Sequence, residues 1–211
     1  AIGWGVAAST PYWFAPKQDR KVDIADPGLI ARGEYLARAG DCVACHTAPG
    51  GAPYAGGLGL QTPLGTIYAT NITPDPETGI GSYDYGDFER AVRKGLRPDG
   101  VHLYPAMPFA SYQVISDADI EAMYAYFMSA VKPVTKQNQP TTIPWPASLR
   151  WPLAWWQLLF AQPRDFEPPE SESKEVSYPD QSMLRKHAFL HSSYDDGDAV
   201  ILKLITEDEE M

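Results

Sequence analysis

The stretch "CVACH", residues 42–46, decides how the rest of the chain is read. It contains both cysteines of a 211-residue sequence, with a histidine directly after the second. No cysteine remains for a disulfide. Two thiols at this spacing suit a zinc clip, but zinc would need two further ligands from elsewhere in the chain. They also suit a dithiol redox pair, which normally lies beside a strand–helix–strand pattern; none surrounds this pair.

A third reading uses all three reactive side chains. Covalent haem attachment needs two close thiols for thioether bonds and a ligand for one face of the iron. Cys42 and Cys45 supply the thiols, and His46 supplies the proximal ligand. Electron transfer without ligand chemistry then needs a second ligand on the opposite face. "LYPAMPF" (103–109) offers Met107, a soft thioether that favours reduced iron and raises the potential, in a loop stiffened by Pro105 and Pro108. His102 is the rival and would give bis-histidine iron. His187 and His191, spaced i, i+4, could share a helical face, but no third ligand is evident beside them.

The flanks read as helices separated by loops. Asp26, Pro27 and Gly40 are the cap, first-turn and end signals of a helix over 26–40. Gly33 inside it suggests a close crossing by another helix. Residues 47–66 and 71–86 are crowded with glycine and proline and read as loops, with at most a short strand near 67–70. "DFERAVRKG" (87–95) forms a second helix, whose Arg90, Arg93 and Lys94 read as a solvated basic face. Residues 116–132 form the clearest helix, capped by Ser116 with Asp119 and stopped before Pro133. Its apolar stripe is Ile120, Met123, Tyr124, Phe127 and Val131.

The chain carries 20 prolines and a net charge of −10, which argues against a general nucleic-acid-binding role. Residues 1–25 read as an N-terminal strap or the stub of a removed anchor. Their apolar run, Ala1 to Ala15, contains Pro11 and is too short to span a bilayer, although "PYWF" (11–14) suits a membrane interface. The globular domain is placed at 26–134. A Pro/Trp-rich docking segment at 135–164 and an acidic tail at 165–211 follow it. Residues 171–211 hold ten acidic side chains against four basic ones.

The order of a helix, the cysteine motif, a long wrapping loop, a helix, the methionine loop and a final helix resembles class I cytochrome c. In that family the first and last helices cross at a small residue, which would set Gly33 against Tyr124 or Phe127. The blocks "RGEYLARAGDCVACHTAPGG", "YATNITPDPETGIG", "DFERAVRKG" and "DGVHLYPAMPF" resemble, more narrowly, the first haem domain of the multihaem cytochrome subunit of membrane-bound alcohol, gluconate and aldehyde dehydrogenases. The resemblance covers about residues 28–163. It implies haem c on Cys42 and Cys45, with His46 and Met107 as axial ligands. It also implies electron delivery from a periplasmic dehydrogenase toward ubiquinone or the respiratory chain. The family pattern has three attachment motifs and this chain has one, so it is expected to be either a single-haem relative or a shortened chain.

The expected fold is therefore all-α: a class I cytochrome c domain with long haem-wrapping loops and a C-terminal extension. The expected function is one-electron transfer through one covalent haem c. The partners would be a dehydrogenase catalytic subunit and further cytochrome subunits, with a membrane interface nearby and a quinone or other acceptor reached indirectly. The setting would be the periplasm, beside the inner membrane. Two other classes compete: a haem peroxidase or ligand sensor, which needs an open distal position, and a zinc-clipped interaction module.

Overall fold

The structure is a computed structural model and describes residues 17–160. The chain divides into a unit of Ala1–Pro168 and a second of Pro169–Met211, and every described residue lies in the first. "PYWF", His187, His191 and the acidic tail lie outside the described residues.

In chain order the elements are α1 (Pro27–Ala39), α2 (Cys42–Cys45), β1 (Gly59–Thr62), β2 (Gly65–Tyr68), α3 (Tyr85–Lys94), α4 (Phe109–Tyr112), α5 (Asp117–Ser129) and α6 (Pro152–Phe160). The three longer helices stand where the sequence places them. Asp26 caps α1 by accepting from the N–H groups of Gly28 and Leu29, and Gly40 closes it. Ser116 caps α5 by accepting from Asp119 N–H and donates its own hydroxyl proton to the Asp119 carboxylate. α3 begins two residues earlier than the pattern suggests, because Asp84 and Asp87 form a capping box.

α1 and α5 cross at Gly33. A β-carbon there would lie 2.0 Å from the Ala122 carbonyl oxygen and 2.7 Å from Tyr126 Cβ. The crossing is as expected, but the facing residues are Ala122 and Tyr126, not Tyr124 or Phe127. The core beneath it is strongly aromatic. Tyr54 meets Phe127 edge-on at 5.2 Å, and Phe88 meets Tyr124 at 5.7 Å. Such pairs add about 0.5–1.5 kcal/mol each beyond the area they bury.

Two features depart from expectation. β1 and β2 make an antiparallel hairpin, Gly59 opposite Tyr68 and Leu60 opposite Ile67, within a region read mostly as loop. Residues after α5 complete its edge: Thr142 N–H donates to the Thr66 carbonyl at 3.0 Å, and Thr66 N–H donates to the Thr142 hydroxyl at 2.8 Å. The second departure is the basic face of α3. Arg93 and Lys94 are buried, not solvated. Arg93 donates to Asp117 at 2.7 Å, to the Ile115 carbonyl, and at a longer 3.5 Å to the buried Glu89. The ion pair holds the Asp117 carboxyl below its ordinary range. Burial pulls the Lys94 ammonium down, partly offset by Glu89.

The described part of the N-terminal strap is fastened by charge. Lys17 pairs with Asp84 at 2.6 Å and Asp87 at 2.8 Å, while Arg20 pairs with Glu121 and lies over the Tyr85 ring. Among the described residues no helix is long and apolar enough to cross a membrane.

Candidate functional site

The site is built on the turn that leaves α1. Asp41 takes a left-handed conformation (φ 54°), which acidic and amide side chains tolerate better than most. Its carbonyl accepts from the N–H groups of Ala44 and Cys45 and so starts α2. That single turn brings Cys42, Cys45 and His46 together, and His46 N–H donates back to the Cys42 carbonyl at 3.0 Å. Both cysteines are half-buried free thiols. Burial pushes the Cys42 thiol up to about 11.

The His46 ring is oriented by its backbone surroundings. Its Nδ1–H donates to the Thr70 carbonyl oxygen at 2.7 Å. A carbonyl only accepts, so Nδ1 carries the proton and Nε2 presents a lone pair. Burial lowers the imidazole's pKa, which favours the neutral, ligating form. The main chain of His46 is fixed as well: its carbonyl accepts from Gly56 N–H at 2.7 Å. Gly56 has φ 65°, and a β-carbon there would lie 2.4 Å from the Thr70 carbonyl carbon, so only glycine fits. Just before it, Tyr54 holds a left-handed backbone (φ 63°) unusual for a bulky residue, a strain of roughly 1–3 kcal/mol that the surrounding contacts must offset. Its N–H donates to the Thr47 hydroxyl, and its carbonyl accepts from Ile72 N–H.

Met107 is half-buried in its loop. Its N–H donates to the Tyr104 carbonyl at 3.1 Å and its carbonyl accepts from Phe109 N–H at 2.8 Å, so the backbone turns tightly on both sides. α4 follows directly. There the Tyr112 hydroxyl donates to the Gly40 carbonyl at 2.8 Å, which ties the methionine loop to the residues that precede Cys42. Phe109 is fully buried and fills the space beside Gly95 at the end of α3.

His102 is held by α6. Its Nδ1–H donates to Gln157 Oε1 at 2.7 Å, and Gln157 Nε2 donates to the Lys94 carbonyl at 3.2 Å. Arg150 lies 3.4 Å over the Tyr104 ring and donates to the His102 carbonyl. Part of the expected docking segment thus forms α6, seated through Gln157 on His102 and through the Trp156 ring, which meets Phe109 edge-on at 6.5 Å. Its apolar side faces outward, with Trp151 65% and Trp155 61% exposed, beside exposed Leu159 and Phe160.

Sequence reasoning names Cys42, Cys45, His46 and Met107 but misses Thr70. A main-chain acceptor 24 residues away leaves no side-chain signature in the sequence. The donor set fits a covalently bound haem: two unpaired thiols and an imidazole with a free Nε2 lone pair, all on one turn. It fits zinc poorly, since among the described residues no cluster of three or more His, Cys, Asp or Glu could hold a metal ion.

Comparison with known proteins agrees with this geometry. Residues 30–130 match the cytochrome c family, and this part of the chain is a cytochrome c domain, which implies haem c. The chain is 58% identical over 151 residues to the gluconate 2-dehydrogenase cytochrome c subunit of Pantoea cypripedii, covering 71% of this chain and 34% of that protein. It is 54% identical over 158 residues to the cytochrome c subunit of the quinone alcohol dehydrogenase of Gluconobacter oxydans, covering 75% and 33% respectively. The fructose dehydrogenase cytochrome subunit of Gluconobacter japonicus matches at 47% over 130 residues, covering 61% of this chain and 27% of that protein. The chain therefore spans about a third of the length of the gluconate and alcohol relatives.

Proposed function

We propose that this chain carries one covalent haem c and passes single electrons within a periplasmic dehydrogenase complex that feeds the respiratory chain. The observation that carries this reading is the Nδ1–H of His46 bound to the Thr70 carbonyl, which leaves Nε2 free beside two unpaired thiols. A haem c supplies one iron that changes valence by a single electron. Cys42 and Cys45 would hold it through thioether bonds. His46 Nε2 and Met107 Sδ would both ligate its iron, which would leave the iron to change valence without binding a substrate. Substrate oxidation falls to the dehydrogenase catalytic subunit, and a quinone or further cytochrome receives the electrons downstream.

An electron-transfer domain must be held close to its donor. α6 is suited to that task, because its inner side is fastened by Gln157 and its outer side presents Trp155, Leu159 and Phe160 next to exposed Trp151 just before the helix. Tryptophan dominates binding hot spots because a large apolar body carries one polar N–H. The occupant we assign is the dehydrogenase catalytic subunit, in keeping with relatives that are cytochrome subunits of dehydrogenases. The double substitution Trp151→Ala with Trp155→Ala should change folding stability by no more than about 0.5 kcal/mol, as expected of exposed sites. It should leave the haem spectrum intact yet release the cytochrome from its complex. Co-purification with the catalytic subunit and a thermal melt are the measurements. A destabilised domain that stays in the complex would refute the docking role. Loss of vesicle binding with the complex intact would assign the face to a membrane instead.

A further inference from the structure

The Thr70 carbonyl that accepts the hydrogen bond from His46 Nδ1–H is itself held in place by the next residue. Asn71 is 2% exposed and its side chain is fully engaged. Its Nδ2 donates to the Val134 carbonyl at 2.7 Å and the Thr78 hydroxyl at 3.1 Å. Its Oδ1 accepts from Thr73 N–H at 3.0 Å and from the Thr73 hydroxyl at 2.7 Å. Its own N–H donates to Asn138 Oδ1 at 2.6 Å, and Asn138 Nδ2 donates to the Thr78 carbonyl at 2.9 Å.

The segment that follows α5 also reaches the other side of His46. Lys136 Nζ donates to the Gly56 carbonyl at 2.8 Å, and Gly56 N–H in turn holds the His46 carbonyl. Residues 134–138 therefore brace the imidazole through Thr70 and Asn71, and the main chain of His46 through Gly56. No feature of haem attachment requires this arrangement. Among its effects it sets where the Thr70 oxygen sits relative to the ring, because the Asn71 N–H held by Asn138 belongs to the same peptide group as that oxygen.

We propose that Asn71, clamped by residues 134–138, is a positioning residue for His46: it fixes the Thr70 carbonyl at the ring N–H and thereby lowers the reduction potential. This rests on His46 being an iron ligand. An imidazole that shares its proton with a carbonyl is a more basic ligand. A more basic ligand favours the higher valence of the iron, so loosening the Thr70 oxygen favours the reduced form.

The test uses the haem-loaded chain and reads the midpoint potential together with hydrogen exchange at His46 Nδ1. Asn71→Ala should shift the equilibrium toward the reduced form by about tenfold, or roughly 59 mV for a one-electron couple, and speed exchange of the ring proton. That variant leaves several buried groups unpaired, so Asn138→Ala is measured beside it. Asn138 is exposed and water can take over part of its role, so its shift should have the same sign and be about twofold. A purely structural role would lower the melting temperature and leave both readouts alone. A folded Asn138→Ala with unchanged potential and unchanged ring-proton exchange overturns the inference. His46→Ala separates the two levels: loss of the low-spin spectrum is expected, whereas its retention removes the ligand assignment and this inference together.

Discussion

With Met107 as the second iron ligand, Met107→Ala should lower the reduction potential and open the reduced protein to carbon monoxide. Axial ligands set potentials across about 0.8 V in haem proteins, and exchanging a thioether for water or an empty position should use on the order of 0.2 V of that span. The sign follows from softness: sulfur stabilises the electron-rich reduced iron, and its loss favours the oxidised form. The loop itself should survive the change, because its fold depends on the Met107 backbone bonds to Tyr104 and Phe109 and on buried Phe109, not on the sulfur. Spectroelectrochemical titration and carbon monoxide binding check the result. If Met107→Ala keeps a six-coordinate thioether spectrum, another methionine is the ligand. If His102→Ala alone abolishes the low-spin state, the rival histidine takes that role, despite its bond to Gln157.

Gly33→Ala should destabilise the domain by about 2 kcal/mol. Two effects oppose each other. Alanine is the better helix former by about 1 kcal/mol, which favours the substitution. Overpacking costs about 1–3 kcal/mol and occasionally more. Here the added carbon would meet the backbone of Ala122 at 2.0 Å, and backbone cannot swing aside as a long side chain can. α1 and α5 must therefore separate, which loosens the core around Ala37 and Phe127. Denaturant unfolding of the loaded protein measures the difference. An equally stable or stabilised Gly33→Ala would mean that the crossing at this residue is not as close as the structure has it.

Sequence alone leads further toward one of these sites than toward the other. Cys42, Cys45 and His46 fall on one short turn, so local spacing carries their chemistry. Gly33 announces a close crossing but does not reveal its partners. Ala122 and Tyr126 lie one turn apart on the face that meets α1, whereas Tyr124 and Phe127 point elsewhere. α5 buries residues around most of its circumference, so its apolar pattern does not mark the side that meets α1.

The buried cations of α3 are illegible for a related reason. A Glu–x–x–x–Arg spacing looks the same on a solvated face as in a packed one. It is the closeness of Asp117 and the Ile115 carbonyl, both distant in sequence, that draws Arg93 inward. The β1–β2 hairpin offers only four residues per strand, each opening on a glycine with Pro63 in the turn between them, and its edge is completed by Thr142 far along the chain. In the sequence α6 shows only as an apolar stretch. Pro152 sits at its first helical position, where proline is compatible with a helix, and the Gln157 contacts that seat it are tertiary. Thr70 acts through its main-chain carbonyl, which no residue type advertises, and the side-chain partners of Asn71 include Val134, far along the chain.

The central claim is that Cys42 and Cys45 bind haem covalently, once per chain. Intact mass under denaturing conditions tests it most directly, on protein made where haem c attachment occurs and then extracted with acid and organic solvent. The expected result is the mass of the polypeptide plus a single haem, surviving the extraction, and the bare polypeptide mass for Cys42→Ala with Cys45→Ala. Haem that leaves with the solvent, or a wild-type chain of bare polypeptide mass, would contradict it.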